Sequence, residues 1–294
     1  MTSVMDIGPP RVAPIATAPI RPPFIRRHRR ALRVMVVLVG LLVGAGAVFV
    51  WEWNHSGPGQ LSGATALHRF RLGGSMVVSD PGALHPRSGV YSYVGTGSDH
   101  VSVPPKTITE GPRFPGTVSY LPDGCWVFRV DYSDSHWQSN TYCARGGTLV
   151  EVGRAGWYRW NFVALQISDT ATFTCGEMAI PSVLRVGEQS GFACSGRNDP
   201  LNTGTVTMTG TTQYLGTQTM HVGGSAVLAL HFRESARFEG GQSGSDTTDT
   251  WVSTVDGLPL RVAWSETVNT PSPLGTSTMT GRASFTLTSL VPRS

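Results

Sequence analysis

An all-β domain behind one N-terminal transmembrane helix is the fold class this sequence predicts, and three observations predict it. Val34–Trp51 is eighteen residues without a charge, VMVVLVGLLVGAGAVFVW. The chain after it is built of short β-branched and aromatic runs divided by Gly, Pro, Asn and Asp, the pattern of strands and tight turns. All four cysteines, Cys125, Cys143, Cys175 and Cys194, lie in that second part. The domain reads as an antiparallel sandwich or as a curved half-barrel meander, two ways of burying one face of such strands.

Charge orients the helix. Residues 1–33 carry seven Arg against the single acid Asp6, a net of +6, and the whole chain's +4 leaves −2 for the remainder. Five of those Arg lie in Arg26–Arg33, beside the apolar run. The positive-inside rule therefore places the N-terminus in the cytoplasm and the large C-terminal part outside a plasma membrane crossed once. A helix of eighteen residues, at about 1.5 Å each, spans most of a hydrocarbon core about 30 Å thick. The competing reading is a cleaved signal peptide with Ala45-Gly46-Ala47 as its A-x-A site. The apolar run continues past that cut through Val48–Trp51, and 33 residues is long for a leader, so the anchor is read as retained. The basic pI belongs to the tail, so nucleic acid is no expected partner of the folded part.

Four segments follow. Residues 1–33, rich in Pro and Arg, form a disordered cytoplasmic tail, residues 34–53 the transmembrane helix, 54–88 a stalk punctuated by Gly57-Pro58-Gly59 and Pro81-Gly82, and 89–294 the β-rich, disulfide-bonded extracytoplasmic domain. Strands are expected near Val90–Val94, Thr117–Leu121, Trp126–Tyr132, Gln138–Ala144, Thr148–Val152, Tyr158–Ile167 and Ala171–Thr174, then from Thr205 to Thr288 with short breaks. No amphipathic helix of convincing length is read; Glu177–Arg185 has room for a turn or two. Gly223-Gly224 predicts a hairpin that pairs Val222 with Ser225 and Leu215 with Phe232. Asp256-Gly257 predicts another, pairing Val255 with Leu258 and Trp251 with Val262. Period-two alternation then collects Trp251, Val255, Leu258, Leu260, Val262 and Trp264 on one face. That face is expected to be ordinary core, with an apolar-ligand surface as the alternative. The last strand sets Met279, Ala283, Phe285 and Leu287 on one side.

An even cysteine count in an oxidising compartment predicts disulfides. Sequential pairing, Cys125–Cys143 and Cys175–Cys194, closes loops of similar size. No CxxC pair offers a zinc site, and no cofactor or metal is expected. The densest polar cluster, Asp131 to His136, supplies the weak catalytic candidates Asp131, Asp134 and His136. Its plainer reading is a hairpin loop in which Asp and Ser are turn residues. Gly241-Gln242-Ser243-Gly244 misses the nucleophile elbow, and no phosphate loop, dinucleotide fingerprint or HExxH occurs. The balance leans away from an enzyme.

Ser88-Gly89-Val90-Tyr91-Ser92-Tyr93, Asp123-Gly124-Cys125-Trp126 and Tyr142-Cys143, with Val222-Gly223-Gly224, Trp251 and Gly257-Leu258-Pro259-Leu260-Arg261, resemble uncharacterised exported, membrane-anchored β-rich proteins of high-G+C bacteria. The scarcity of Lys, present only as Lys106, among many Arg fits such an origin. The domain is also similar, more loosely, to the half-barrels of lipid-binding envelope lipoproteins, a likeness that implies an acyl chain held on a concave face. The expected function is a tethered binding or scaffold domain of the cell envelope, with its own helix in the membrane and an envelope protein or lipid as partner. The alternatives are a lipid carrier and an envelope hydrolase acting through Asp131–His136.

Overall fold

The computed structural model describes residues 58–73, 78, 82, 84–162, 165–180, 185–199, 204–272 and 275–294. The apolar run Val34–Trp51 and the basic tail before it lie outside the described residues. No helix among the described residues is long and apolar enough to cross a membrane.

Helix α1 (Gly63–Leu72) opens the described chain, within the segment that the sequence reads as a stalk. Ser62 caps it by accepting from the Thr65 amide at 3.1 Å, satisfying one of the first-turn donors. Ala66 and Phe70, four residues apart, bury one narrow stripe against Leu61 and Val90. With only two buried positions in ten residues, its periodicity is too faint to read from the sequence.

Thirteen strands follow: β1 (Gly89–Ser102), β2 (Pro105–Glu110), β3 (Arg113–Tyr120), β4 (Trp126–Ser133), β5 (His136–Arg145), β6 (Thr148–Phe162), β7 (Leu165–Ile180), β8 (Gln189–Asp199), β9 (Val206–Val222), β10 (Ser225–Gly240), β11 (Ser243–Ser253), β12 (Pro259–Ser272) and β13 (Gly275–Leu287). Each pairs antiparallel with its sequence neighbour from β3 to β13. β1 then pairs with β13 from Tyr93↔Leu287 to Val101↔Met279 and closes the sheet. The other edge of β1 is shared, by β3 along Gly89–Val94 and by β2 along Gly97–Ser102. Setting β2 aside as an appended hairpin arm, twelve of the thirteen strands make a closed antiparallel barrel. It is neither the sandwich nor the open half-barrel that the sequence predicts. Closure satisfies both edges, which an open meander leaves bare. A Cβ at Gly95 would lie 2.0 Å from the Ser284 carbonyl oxygen, so glycine is what lets the two strands meet this closely at the seam.

Several strands are longer than expected. β6 takes in Thr148–Val152 and the first half of the expected Tyr158–Ile167, whose second half opens β7; β9 joins two expected strands; β2 and β8 lie outside the expected ones; and the region expected to hold a helical turn continues β7 to Ile180. The Gly223-Gly224 hairpin pairs Val222 with Ser225 as predicted, but Phe232 faces Tyr214, because Leu215 is the extra residue of a bulge. The Asp256-Gly257 turn is wider than two residues: the Ser253 amide donates to the Leu258 carbonyl at 2.9 Å. A second bulge there pairs Trp251 with Arg261 and Thr250 with Val262.

Five of the six residues of the predicted face, Trp251, Leu258, Leu260, Val262 and Trp264, belong to one buried core, as expected, and Val255 alone is lost from it. Val255 is 65% exposed at the turn, while Leu258 and Leu260 are fully buried in the core. Trp251 stacks on His231 at 4.0 Å, beneath the Arg261 guanidinium at 4.7 Å. Val262 and Trp264 turn to the barrel interior. Met279, Ala283, Phe285 and Leu287 keep their shared phase, the last three in the core and Met279 against an interior cavity.

The starts of β1, β4, β6, β10 and β12 and the ends of β5, β9, β11 and β13 meet at one end of the barrel, which is solid. Tyr91, Tyr93, Phe114, Trp126, Leu258 and Phe285 fill it. Carbonyls of Leu84 and Pro86 accept from Trp126 Nε1 and Tyr120 Oη, so the chain before β1 seals that end. The disulfides Cys125–Cys143 and Cys175–Cys194 form in the sequential pairing expected. With partners 18 and 19 residues apart, each contributes roughly 3 kcal/mol by restricting the unfolded chain. The outward rows are polar, with Thr207, Thr209 and Thr211 on β9 and Arg233, Ser235 and Arg237 on β10 all exposed. A lipid-facing strand is apolar at those positions, so this wall faces water.

Candidate functional site

The other end of the barrel is hollow. A cavity of about 710 Å³ is lined largely by aromatic and aliphatic side chains, among them Phe128, Tyr158, Trp160, Phe173, Val262 and Trp264. Eight strands leave only enough interior for side chains to fill, whereas wider barrels enclose space. Twelve strands with one end packed leave this volume at the other. Ligand pockets typically measure about 300–1,000 Å³.

One wall of the cavity is acidic. Asp246 on β11 lies directly opposite Glu266 on β12, and Glu234 on β10 faces the neighbouring Thr248 of β11. Like charges directly opposed across strands are destabilising, so this row is held against a folding cost. Arg154 on β6 is the cation that the structure sets among them. Its guanidinium reaches Glu234 with two nitrogens and Glu151 with a third. Asn140 also donates to Glu151, at 2.9 Å, and Tyr158 Oη donates to Glu266 at 2.9 Å. Beyond this network, Asp169 Oδ1 and Asn198 Oδ1 are buried cavity-side oxygens without a hydrogen-bond partner.

Burial is the main cause that raises these carboxyls. Asp246 rises to about 8, with Glu234 and Glu266 adding to the effect. Glu266 rises to about 7, with Asp99 adding, and Asp169 to about 6, again through burial first. Asp246 and Glu266 line the cavity but are only half-buried by surface, so water screens part of the effect. Each group binds its proton more tightly folded than unfolded. Its stabilisation is complete below the unfolded value near 4 and is lost as pH rises through the folded value. The expected result is a domain that loses on the order of a few kcal/mol between pH 5 and pH 9, since each tenfold gain in proton affinity on folding is worth about 1.4 kcal/mol. Urea titrations at pH 5, 7 and 9 check this, and a flat or rising midpoint contradicts it.

The sequence candidates part company. Period-two alternation turns Phe128, Val130 and Tyr132 inward, so Asp131 points outward, where Arg129 at 2.6 Å and Arg69 of α1 at 3.8 Å bind it. Asp134 sits in the β4–β5 hairpin turn, half-exposed, 3.9 Å from Arg159. His136 points inward and is 2% exposed. Its ring is sandwiched between Tyr132 at 4.4 Å and Tyr158 at 3.9 Å. Its partners are two residues absent from the predicted cluster: Glu110 of β2 at 2.7 Å and Asp99 of β1 at 3.1 Å, both measured to Nδ1. Burial alone would lower the His136 pKa, but the two carboxylates outweigh it and raise it to about 10. Burial raises Glu110, a shift that His136 opposes. The available signal was the phase of β1: Gly97, Asp99 and Val101 share the face that Tyr91 and Tyr93 bury.

No protein-family model matches the chain, and no curated protein matches it. Among solved structures it is similar to the hypothetical lipoprotein YmcC from Escherichia coli (K12), at 13% identity over 78% of this chain and 99% of that one, with a TM-score of 0.33.

Proposed function

We propose that the domain is a binding barrel of the cell envelope, tethered by Val34–Trp51, that takes an elongated apolar molecule with a basic, hydrogen-bond-donating head into its cavity. The observation that carries this reading is the aromatic cavity of about 710 Å³ with an acidic wall. Among the described residues, five carboxyls line it, those of Glu151, Asp169, Glu234, Asp246 and Glu266, against the one guanidinium of Arg154. Glu151 and Glu234 already hold that guanidinium, leaving Asp169, Asp246 and Glu266 for a ligand. An anionic head would meet like charge there. An amine offers both the donor and the sign, and the aromatic walls accept the apolar body. The envelope placement rests on the Arg-flanked apolar run and on both disulfides, which persist in oxidising compartments.

Two probes of equal chain length test it, dodecylamine and dodecanoate, titrated against the full chain in detergent at pH 8 while the fluorescence of the cavity residues Trp160 and Trp264 is followed. Dodecylamine is expected to bind at least tenfold tighter, more weakly at pH 6 as Asp246 and Glu266 take up protons. Ala171→Trp, which fills the cavity from β7, is expected to abolish binding while the disulfides and strand content persist. Equal binding of the two probes defeats the head-group assignment. Undiminished binding in the filled variant defeats the cavity.

A further inference from the structure

We propose that Asp99, Glu110 and His136 form a binding site for a divalent first-row transition cation, zinc or manganese, separate from the amphiphile cavity. The three side chains come from β1, β2 and β5, and their donor atoms all lie within 4.8 Å of one another. His136 Nδ1 stands 2.7 Å from Glu110 Oε1 and 3.1 Å from Asp99 Oδ2. Around a cation with bonds of about 2.0–2.2 Å, neighbouring donors lie about 3.3–3.6 Å apart in tetrahedral and about 2.8–3.1 Å apart in octahedral geometry. Small adjustments of these side chains bring the trio to that spacing.

The second observation is what the trio leaves unmet. Among the described residues, the buried side-chain atoms without a hydrogen-bond partner include Asp99 Oδ1 and Glu110 Oε2, and Asp99 Oδ2 has only its 3.1 Å ion-pair approach to His136 Nδ1. The residues are 1%, 4% and 2% exposed, so bulk water does not serve these atoms. A single imidazole N–H cannot satisfy two carboxylates. Leaving their oxygens bare in a buried site costs several kcal/mol. A divalent cation bound by a neutral ring offsets both carboxylate charges and occupies those lone pairs. One imidazole and two carboxylates are the mixed nitrogen and oxygen set that suits zinc and manganese, and the absence of thiolate and thioether from it disfavours copper(I).

The backbone leaves room for these carboxylates. A Cβ at Gly97 would come within 3.0 Å of Glu110 Oε2, and one at Gly281 within 2.8 Å of Asp99 Oδ1. The Tyr132 and Tyr158 rings hold the imidazole plane from both sides. The cation has a structural consequence too. β2 has β1 as its strand partner, and Glu110 is its last residue, so the metal ties this arm to β5 across the barrel.

The test uses the full chain, purified in detergent without an affinity histidine tag, stripped with a chelator and dialysed against Zn2+ or Mn2+. Elemental analysis is expected to find about one equivalent of at least one metal per chain, with the melting temperature raised as it binds. X-ray absorption of the loaded protein is expected to show nitrogen and oxygen donors alone, with an imidazole signature. Asp99→Asn combined with Glu110→Gln keeps the side-chain shapes and is expected to weaken binding at least 100-fold. Should that variant fail to fold, stoichiometry and absorption on the wild-type chain decide alone. Uptake below about one-tenth equivalent of both metals overturns the proposal. So does a folded double variant that binds as the wild type does, which would place the metal elsewhere, as at His231 and Asp249.

Discussion

Arg154→Ala is expected to lower the stability of the barrel by about 3–5 kcal/mol, the cost of removing one partner from a buried ionic group. Three guanidinium nitrogens bind Glu151 and Glu234, and the same cation lowers the proton affinity that burial gives to Glu151 and Asp246. Without it the cavity wall keeps only acids. The barrel then reaches neutrality by taking up protons, so the loss is larger at pH 8 than at pH 5. Adding Glu151→Gln and Glu234→Gln to the Arg154→Ala chain is expected to restore much of the loss, because the charges stranded by the first change are gone. Urea unfolding of the three chains at both pH values measures this. A single-variant loss below about 1 kcal/mol, or no recovery in the triple variant, means the network is not the tie described.

Trp126→Ala is expected to cost a similar amount, about 3–5 kcal/mol, through a cavity rather than a charge. The indole is fully buried in the solid end of the barrel, with its ring 4.6 Å from that of Tyr142. Its Nε1 donates to the Leu84 carbonyl at 3.1 Å, so truncation also strands a buried acceptor in the segment that seals this end. In a domain of this size each kcal/mol shifts the melting temperature by about 2–4 °C, and a fall of roughly 6–20 °C is expected in calorimetry. Trp126→Phe keeps most of the volume and loses only the hydrogen bond, so it should fall well short of the alanine variant. Equal losses in the two would place the effect in the Leu84 contact rather than in packing.

Much of the strand content was legible because it rests on local rules. β4 and β13 carry period-two alternation, and the disulfide pairing agrees with short loop closure. Bulges were not legible. Leu215 and the residues after Trp251 shift their ladders by one position, and one position sends every later side chain to the other face. Even so, five of the six residues of the C-terminal meander's face reach one core, Leu260, Val262 and Trp264 keeping their shared phase along β12, and Val255 alone ends in water. No apolar pattern marks β2 and β8, because their inward residues include Lys106, Glu110 and Asn198.

Local sequence determined where strands run, where they turn, which cysteines join, and that an apolar run with an Arg flank precedes the domain. Those features depend on residues within about twenty positions of one another. The barrel, its hollow end and both polar centres were decided only by closure. The pairing of Tyr93 with Leu287 joins strands at opposite ends of the domain, and no local signal encodes a contact across that separation. Closure is also what makes the interior polar groups tolerable. Glu234, Asp246 and Glu266 on neighbouring strands would be solvated on an open sheet, and Asp99, Glu110 and His136 would sit apart on three. Wrapped around a common interior, the same residues become two buried charge clusters, because the curvature of the wall rather than the order of the chain sets which side chains meet.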